Sequence, residues 1–308
     1  MENIKDVVKE KNNLNYNLKI SYNEALKDEV FKKLTSSINL SDDELMKYTS
    51  SFEDAAKEYK NCMKCKGLSE CKNSVCGYCY LPVLKEKELI FSYVACRYKN
   101  KYINDNKYLD NITYFDVPKD IKEAKIKNIY TDDKNREKVI KWILSYIKDY
   151  KKGNAGNGLF LHGNFGCGKT YLISAMFNEL AKDKVKSVII YYPEYLRSLK
   201  SSYGSSSKDE FKDKFNEVKY AKLLLIDDLG AEAVTAWERD EILGSILQYR
   251  MQEHLPTFIT SNLNLKQLED HLSVTTNNKS ERVKAVRIIE RIKQLTIDME
   301  MIGENNRH

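Results

Sequence analysis

The chain has little of what breaks regular structure: among 308 residues there are only 12 glycines and 4 prolines. A collagen-like or linker-dominated design is thereby excluded. Long apolar runs are also missing. No window approaches the roughly 18 consecutive apolar residues that a membrane span needs. The opening stretch, MENIKDVVKEKNN, has no apolar core of a secretory signal. These absences predict a soluble, cytoplasmic protein with no membrane partner. Nor does charge of one sign dominate. With 51 basic against 45 acidic residues the net charge is +6, so nucleic-acid binding would need a local patch. What is present is 42% hydrophobic residues, enough for folded cores, and length for two ordinary domains.

Residues 1–60 read as helical. Leu26, Val30, Phe31 and Leu34 recur at helical spacing, and Ser41 with Glu44 is a capping-box pattern opening a further helix. Six of the seven cysteines then fall between positions 62 and 96, with Cys167 alone. Cys62-Met-Lys-Cys65 and Cys76-Gly-Tyr-Cys79 are two C-x-x-C units. Such turns let paired thiolates face one tetrahedral ion, which makes zinc the natural occupant. Without a secretory signal, this clustering favours metal over disulfides. Cys71 and Cys96 are surplus, so spacing leaves the ligand set open.

Residues 101–114 are rich in Asn and Lys and read as a linker between a domain at 1–100 and one at 115–308. A long amphipathic helix is expected from about Asp132 to Tyr150. Short apolar runs then alternate with helical stretches, at 159–161, 187–192, 223–226, 257–260 and 295–301. Five such runs predict an α/β fold, a parallel five-stranded sheet covered on both faces, preceded by a small, mainly helical metal-binding domain.

The strongest chemical signal is Gly163-Asn164-Phe165-Gly166-Cys167-Gly168-Lys169-Thr170, which follows an apolar strand and opens a helix at Tyr171. It matches G-x-x-x-x-G-K-[ST], in which glycines turn backbone N–H groups inward around phosphates. Lys169 would reach the β- and γ-phosphates of ATP, and the Thr170 hydroxyl would ligate magnesium. The strand Leu223–Ile226 delivers Asp227 to the magnesium, and Asp228 beside it can polarise an attacking water. The run 257–260 leads into Thr260-Ser-Asn262, which puts Asn262 in a γ-phosphate sensor position. Further on, Arg287 and Arg291 share one helix face and could serve a neighbouring subunit's site as an arginine finger.

GNFGCGKT, LLLIDDLG, TSN and RIIERI together resemble the AAA+ ATPases of the bacterial replicative helicase loaders, the DnaC/DnaI group. The resemblance covers 115–302 firmly and 1–100 more loosely. It implies an AAA+ core without a helical lid, since only 17 residues follow Arg291. It also implies a modest, magnesium-dependent ATPase that delivers a hexameric replicative helicase onto single-stranded DNA during primosome assembly. Residues 1–100 would grip the helicase, and the AAA+ domain would self-associate. Cys96 resembles the family's late cysteine, which favours Cys62, Cys65, Cys79 and Cys96 as zinc ligands, with Cys71 or Cys76 as substitutes, and the resemblance implies Arg291, with Arg287 as alternative, as the finger. The mixture of bases and aromatics around Tyr195, Arg197 and Lys200 suits single-stranded DNA. The competing readings are a transposition helper ATPase with a related core and a non-hydrolysing zinc adaptor.

Overall fold

The computed structural model describes residues 16–86, 88–129, 134–203, 208–275, 281–303 and 305. Two compact units divide the chain, residues 1–107 and 108–308. Their boundary falls inside the stretch expected to be a linker. Part of that stretch is itself ordered, as a helix Arg97–Asp105 and a strand Ile112–Phe115.

In the first unit, helices at 16–25, Glu29–Ser36 and Thr49–Lys64 pack around Phe31, Leu34, Phe52, Ala55 and Ala56. Edge-on aromatic contacts link Tyr22 to Phe31, Phe31 to Phe52 and Phe52 to Phe91. Leu26 and Val30, expected on the same face, are only half-buried at its rim. The capping box forms, with the Ser41 backbone N–H and hydroxyl both donating to Glu44. This unit is less helical than expected, because β1 (Tyr78–Lys85) and β2 (Glu88–Ala95) make an antiparallel hairpin. A buried carboxylate, Glu58, ties the hairpin to the long helix by accepting from the backbone N–H groups of Ser74 and Tyr80.

The second unit is a six-stranded parallel sheet. Its strands are β3 (Ile112–Phe115), β4 (Gly158–His162), β5 (Ser187–Tyr191), β6 (Leu223–Asp227), β7 (Thr257–Ser261) and β8 (Thr296–Glu300), in the order β3-β5-β6-β7-β4-β8. The five expected strands are all there. The sixth, β3, is a correction to the five-stranded sheet, and its four residues among Asn and Lys lack the long apolar run that marks the others. Side-chain alternation explains the double cover. Leu159 and Leu161 of β4 and Leu223 and Leu225 of β6 face the helices Lys134–Lys151 and Lys169–Ala181. Phe160, Leu224 and Ile226 face the opposite layer, with helices Tyr192–Tyr203, Gly244–Gln252, Leu265–Ser273 and Arg282–Leu295. β4 lies between β7 and β8, and β6 between β5 and β7, so the loops leaving β4, β6 and β7 gather at one end of the sheet.

Candidate functional site

The phosphate loop runs from β4 into the helix Lys169–Ala181, with Gly168 as its N-cap at φ +91°. That left-handed backbone is open to glycine and strained for other residues. The helix start directs backbone donors and partial positive charge at any anion in the loop. Lys169 is buried, its ammonium donating to the carbonyls of Gly163 (2.9 Å) and Asn164 (2.7 Å) and to Asn262 Oδ1 (2.8 Å). Cys167 is fully buried and donates to the Asn164 carbonyl, so it packs the loop, whereas Phe165 is largely exposed. The Tyr171 hydroxyl accepts from the Lys125 backbone N–H, which turns its side chain toward the segment between β3 and the helix Lys134–Lys151.

The remaining predicted residues converge here. Parallel register aligns Ile226 with Ile259, which sets the end of β6 beside Thr260. Asp227 Oδ1 accepts from the hydroxyls of Thr170 (2.5 Å) and Thr260 (2.6 Å). Burial pushes the Asp227 carboxyl above the usual carboxylate range, while these two hydroxyls pull it down. Asp228 stands at φ +59°, its backbone N–H donating to Thr260 Oγ1 and its Oδ1 accepting from Asn262 Nδ2 (2.7 Å). Lys169, Asn262 and Asp228 therefore form one continuous polar chain, next to the Thr170–Asp227 pair. The oxygens of Thr170 and Asp227 are the hard donors that magnesium takes alongside phosphates.

Thr260 was not singled out by itself in the sequence, yet it links both carboxylate positions. Its signal was available in the polar Thr-Ser-Asn ending of an apolar strand. Arg136 was missed altogether. It is buried near the start of the helix Lys134–Lys151, and its guanidinium lies against Gly168.

Other candidates lie elsewhere. Arg291 is half-buried and donates to the Gly244 carbonyl (2.9 Å), its charged form disfavoured by burial and by Arg287, which is exposed on the same helix. The base-stacking role of Tyr195 is corrected: it is fully buried in the core, where its hydroxyl donates to the Lys214 carbonyl. Lys200 pairs with the buried Glu238 at 2.7 Å, and Arg197 pairs with Glu194. The helix keeps Arg197 and Lys200, three residues apart, on its exposed side and turns Tyr195 into the core.

In the first unit, Cys62 lies in the last turn of the long helix, Cys65 caps it, Cys79 lies on β1 and Cys96 follows β2. Burial, followed by the neighbouring Cys62, pushes the Cys79 thiol up to about 12. Cys65 donates to the Gly67 carbonyl, and Cys76 to that of Leu68. Backbone N–H groups of Gly77 and Asn73 pull the Cys71 thiol down. The donor chemistry suits zinc, but the placement does not. Among the described residues no group of three or more His, Cys, Asp or Glu side chains is arranged to hold a metal ion. The expected set Cys62, Cys65, Cys79 and Cys96 is corrected in that respect, since Cys65 turns to a backbone carbonyl instead of the others.

The chain is also similar to known proteins. Residues 137–278 match the family described as the bacterial DnaA ATPase domain. The replicative helicase loader DnaI of Bacillus subtilis (strain 168) is 34% identical over 252 residues, covering 82% of this chain and 80% of that protein. A crystal structure of DnaI superposes with a TM-score of 0.56 at 41% identity, over 65% of this chain and all of that one. The phage-like element PBSX protein XkdC of the same Bacillus strain is 33% identical over 40% of this chain and 47% of its own length.

Proposed function

The chain belongs to the replicative helicase loaders of the DnaI family, and on that premise we propose how its parts divide the work. It is a helicase loader with an AAA+ ATPase core. The observation that carries this is the extent of the likeness: an alignment of 252 residues is longer than the second unit and reaches into the cysteine-bearing one. A transposition helper sharing only the core would not extend so far.

In the proposed cycle, the backbone N–H groups of the phosphate loop and Lys169 hold the β- and γ-phosphates of ATP. Magnesium, when bound, neutralises charge on those oxygens, and Thr170 and Asp227 are the residues that would hold it. Asp228 orients the attacking water, and Asn262, bonded to both Lys169 and Asp228, couples the γ-phosphate to that carboxylate. Hydrolysis is modest by itself and serves as a release step. Residues 1–100 bind the hexameric helicase, and the AAA+ domain self-associates and contacts single-stranded DNA, with Arg197 and Lys200 the exposed cations of the 194–200 stretch. Arg287 or Arg291 completes a neighbour's site.

Mixing the full chain with the host's replicative helicase, with and without ATP, and reading mass by light scattering tests the loader reading. A complex of helicase hexamer and loader is expected. A helicase that elutes at its own mass under both conditions sinks it.

A further inference from the structure

Arg136 is a charged side chain in a position that its own fold does not explain. It is 4% exposed, and its Nε is buried with no hydrogen-bond partner among the described residues. No carboxylate pairs with it among the described residues. A buried guanidinium in that condition is costly unless something with negative charge meets it. Its surroundings name what that is. A Cβ built on Gly168 would lie 3.1 Å from Arg136 Nη2, so the guanidinium sits against the backbone of the phosphate loop's last glycine. Gly168 is the N-cap of the helix whose first residues are Lys169 and Thr170. The planar fork of an arginine matches phosphate oxygens in a way that the point charge of Lys169 does not.

We propose that Arg136 is a further nucleotide-binding residue, whose guanidinium binds the polyphosphate of ATP or ADP beside Gly168. Arg136 takes this role only if the phosphate loop binds a nucleotide, as argued above. The helix Lys134–Lys151 then does more than cover the sheet. It brings a second cation to the phosphates from a different element, and nucleotide occupancy becomes coupled to the segment that leads into the ATPase unit. Among the described residues, the other cation at the loop, Lys169, is already satisfied by two carbonyls and Asn262.

The test measures ATP and ADP affinity of the full chain by isothermal calorimetry for Lys169→Ala, Arg136→Gln and Arg136→Lys. The thermal midpoint of each is recorded without nucleotide. Arg136→Gln is expected to bind both nucleotides at least tenfold more weakly, with Arg136→Lys recovering part of the loss and the nucleotide-free midpoint little changed. Affinity within twofold of the parent in Arg136→Gln, while Lys169→Ala has lost binding, overturns the role of Arg136 and leaves the phosphate loop intact. Unchanged binding in Lys169→Ala overturns the phosphate loop as the nucleotide site, and the role of Arg136 with it. If the Arg136 variants do not fold, the Nε–H resonance of Arg136 is followed in the parent protein during ADP titration. A shift that saturates with ADP supports the contact, and a resonance that stays in place overturns it.

Discussion

Thr260 holds two carboxylate-bearing residues with one hydroxyl, donating to Asp227 and accepting from the backbone of Asp228. Thr260→Val keeps the volume and removes both bonds. It leaves the Asp228 N–H without its partner, which costs about 1–3 kcal/mol when the group is buried. Hydrolysis should fall about tenfold, because a charge-assisted bond that orients the carboxylate proposed to hold magnesium is worth on the order of 1.5 kcal/mol. Phosphate release and urea unfolding of the same variant separate the two effects. Parental hydrolysis with lowered stability would leave the hydroxyl a purely structural part. Glu232, buried four residues past Asp228, offers a pH test. Burial, with help from Glu238 and Asp228, pushes its carboxyl up to about 7, while the Gly230 backbone N–H pulls the other way. An acid raised in the folded state binds more protons there than in the unfolded chain, so stability falls as pH rises from the ordinary glutamate range through about 7. Glu232→Gln removes that loss. The variant should gain up to about 3 kcal/mol over the parent between pH 5 and pH 8, read as a pH-dependent gap in melting temperature. A gap that stays constant across this window would place the carboxyl's titration elsewhere.

Among the elements, the ends of β6 and β7 are fastened by Arg250, which is fully buried on the helix Gly244–Gln252. Its guanidinium donates to the carbonyls of Ala221 (2.7 Å) and Pro256 (2.8 Å) and to Thr257 Oγ1 (2.8 Å). These acceptors lie at the entrances of the two strands whose far ends carry Asp227 and Asn262. Arg250→Met keeps the apolar stem and strands the acceptors, so a loss of about 3 kcal/mol is expected in denaturant unfolding. A loss under about 0.5 kcal/mol would mean that water replaces the guanidinium there. The strands themselves were easy to read, since unbroken runs such as Leu223–Ile226 are what a sheet buried on both faces requires. β3 was hidden because an edge strand needs only one paired side, and its Ile-Thr-Tyr-Phe sits among polar residues. The hairpin was half visible: β2 has an apolar run, but β1 contains Pro82 and two cysteine-rich turns precede it.

At the scale of the whole molecule, a finger arginine acts across a subunit boundary, so it should be separable from the phosphate loop by mixing. Arg287→Ala and Lys169→Ala chains are each expected to hydrolyse ATP poorly with helicase and DNA. A mixture of the two should regain a measurable part of the activity, because some pairs unite an intact loop with an intact arginine. Mixtures no more active than the separate variants would remove Arg287 from that role. Repeating the experiment with Arg291→Ala decides between the two, and its bond to the Gly244 carbonyl makes it the more firmly placed of the pair.

The sequence by itself determined what depends on local pattern. The phosphate loop, the aspartates at the end of β6, the strand alternation and the clustering of cysteines all follow from residue type at fixed short spacing, where backbone geometry allows few alternatives. Only the tertiary structure decided which distant side chains meet. Thr260 reaches Asp227 through the register of two strands, and Arg136 reaches Gly168 through the packing of a helix on the sheet. Tyr195 parts from Arg197 and Lys200, its neighbours in sequence, because a helix turns 100° per residue and only one of its faces enters the core. The cysteines make the same point, since spacing sets how close two thiols can come along the chain, but their directions are set by the helix end, the loop and the hairpin that carry them.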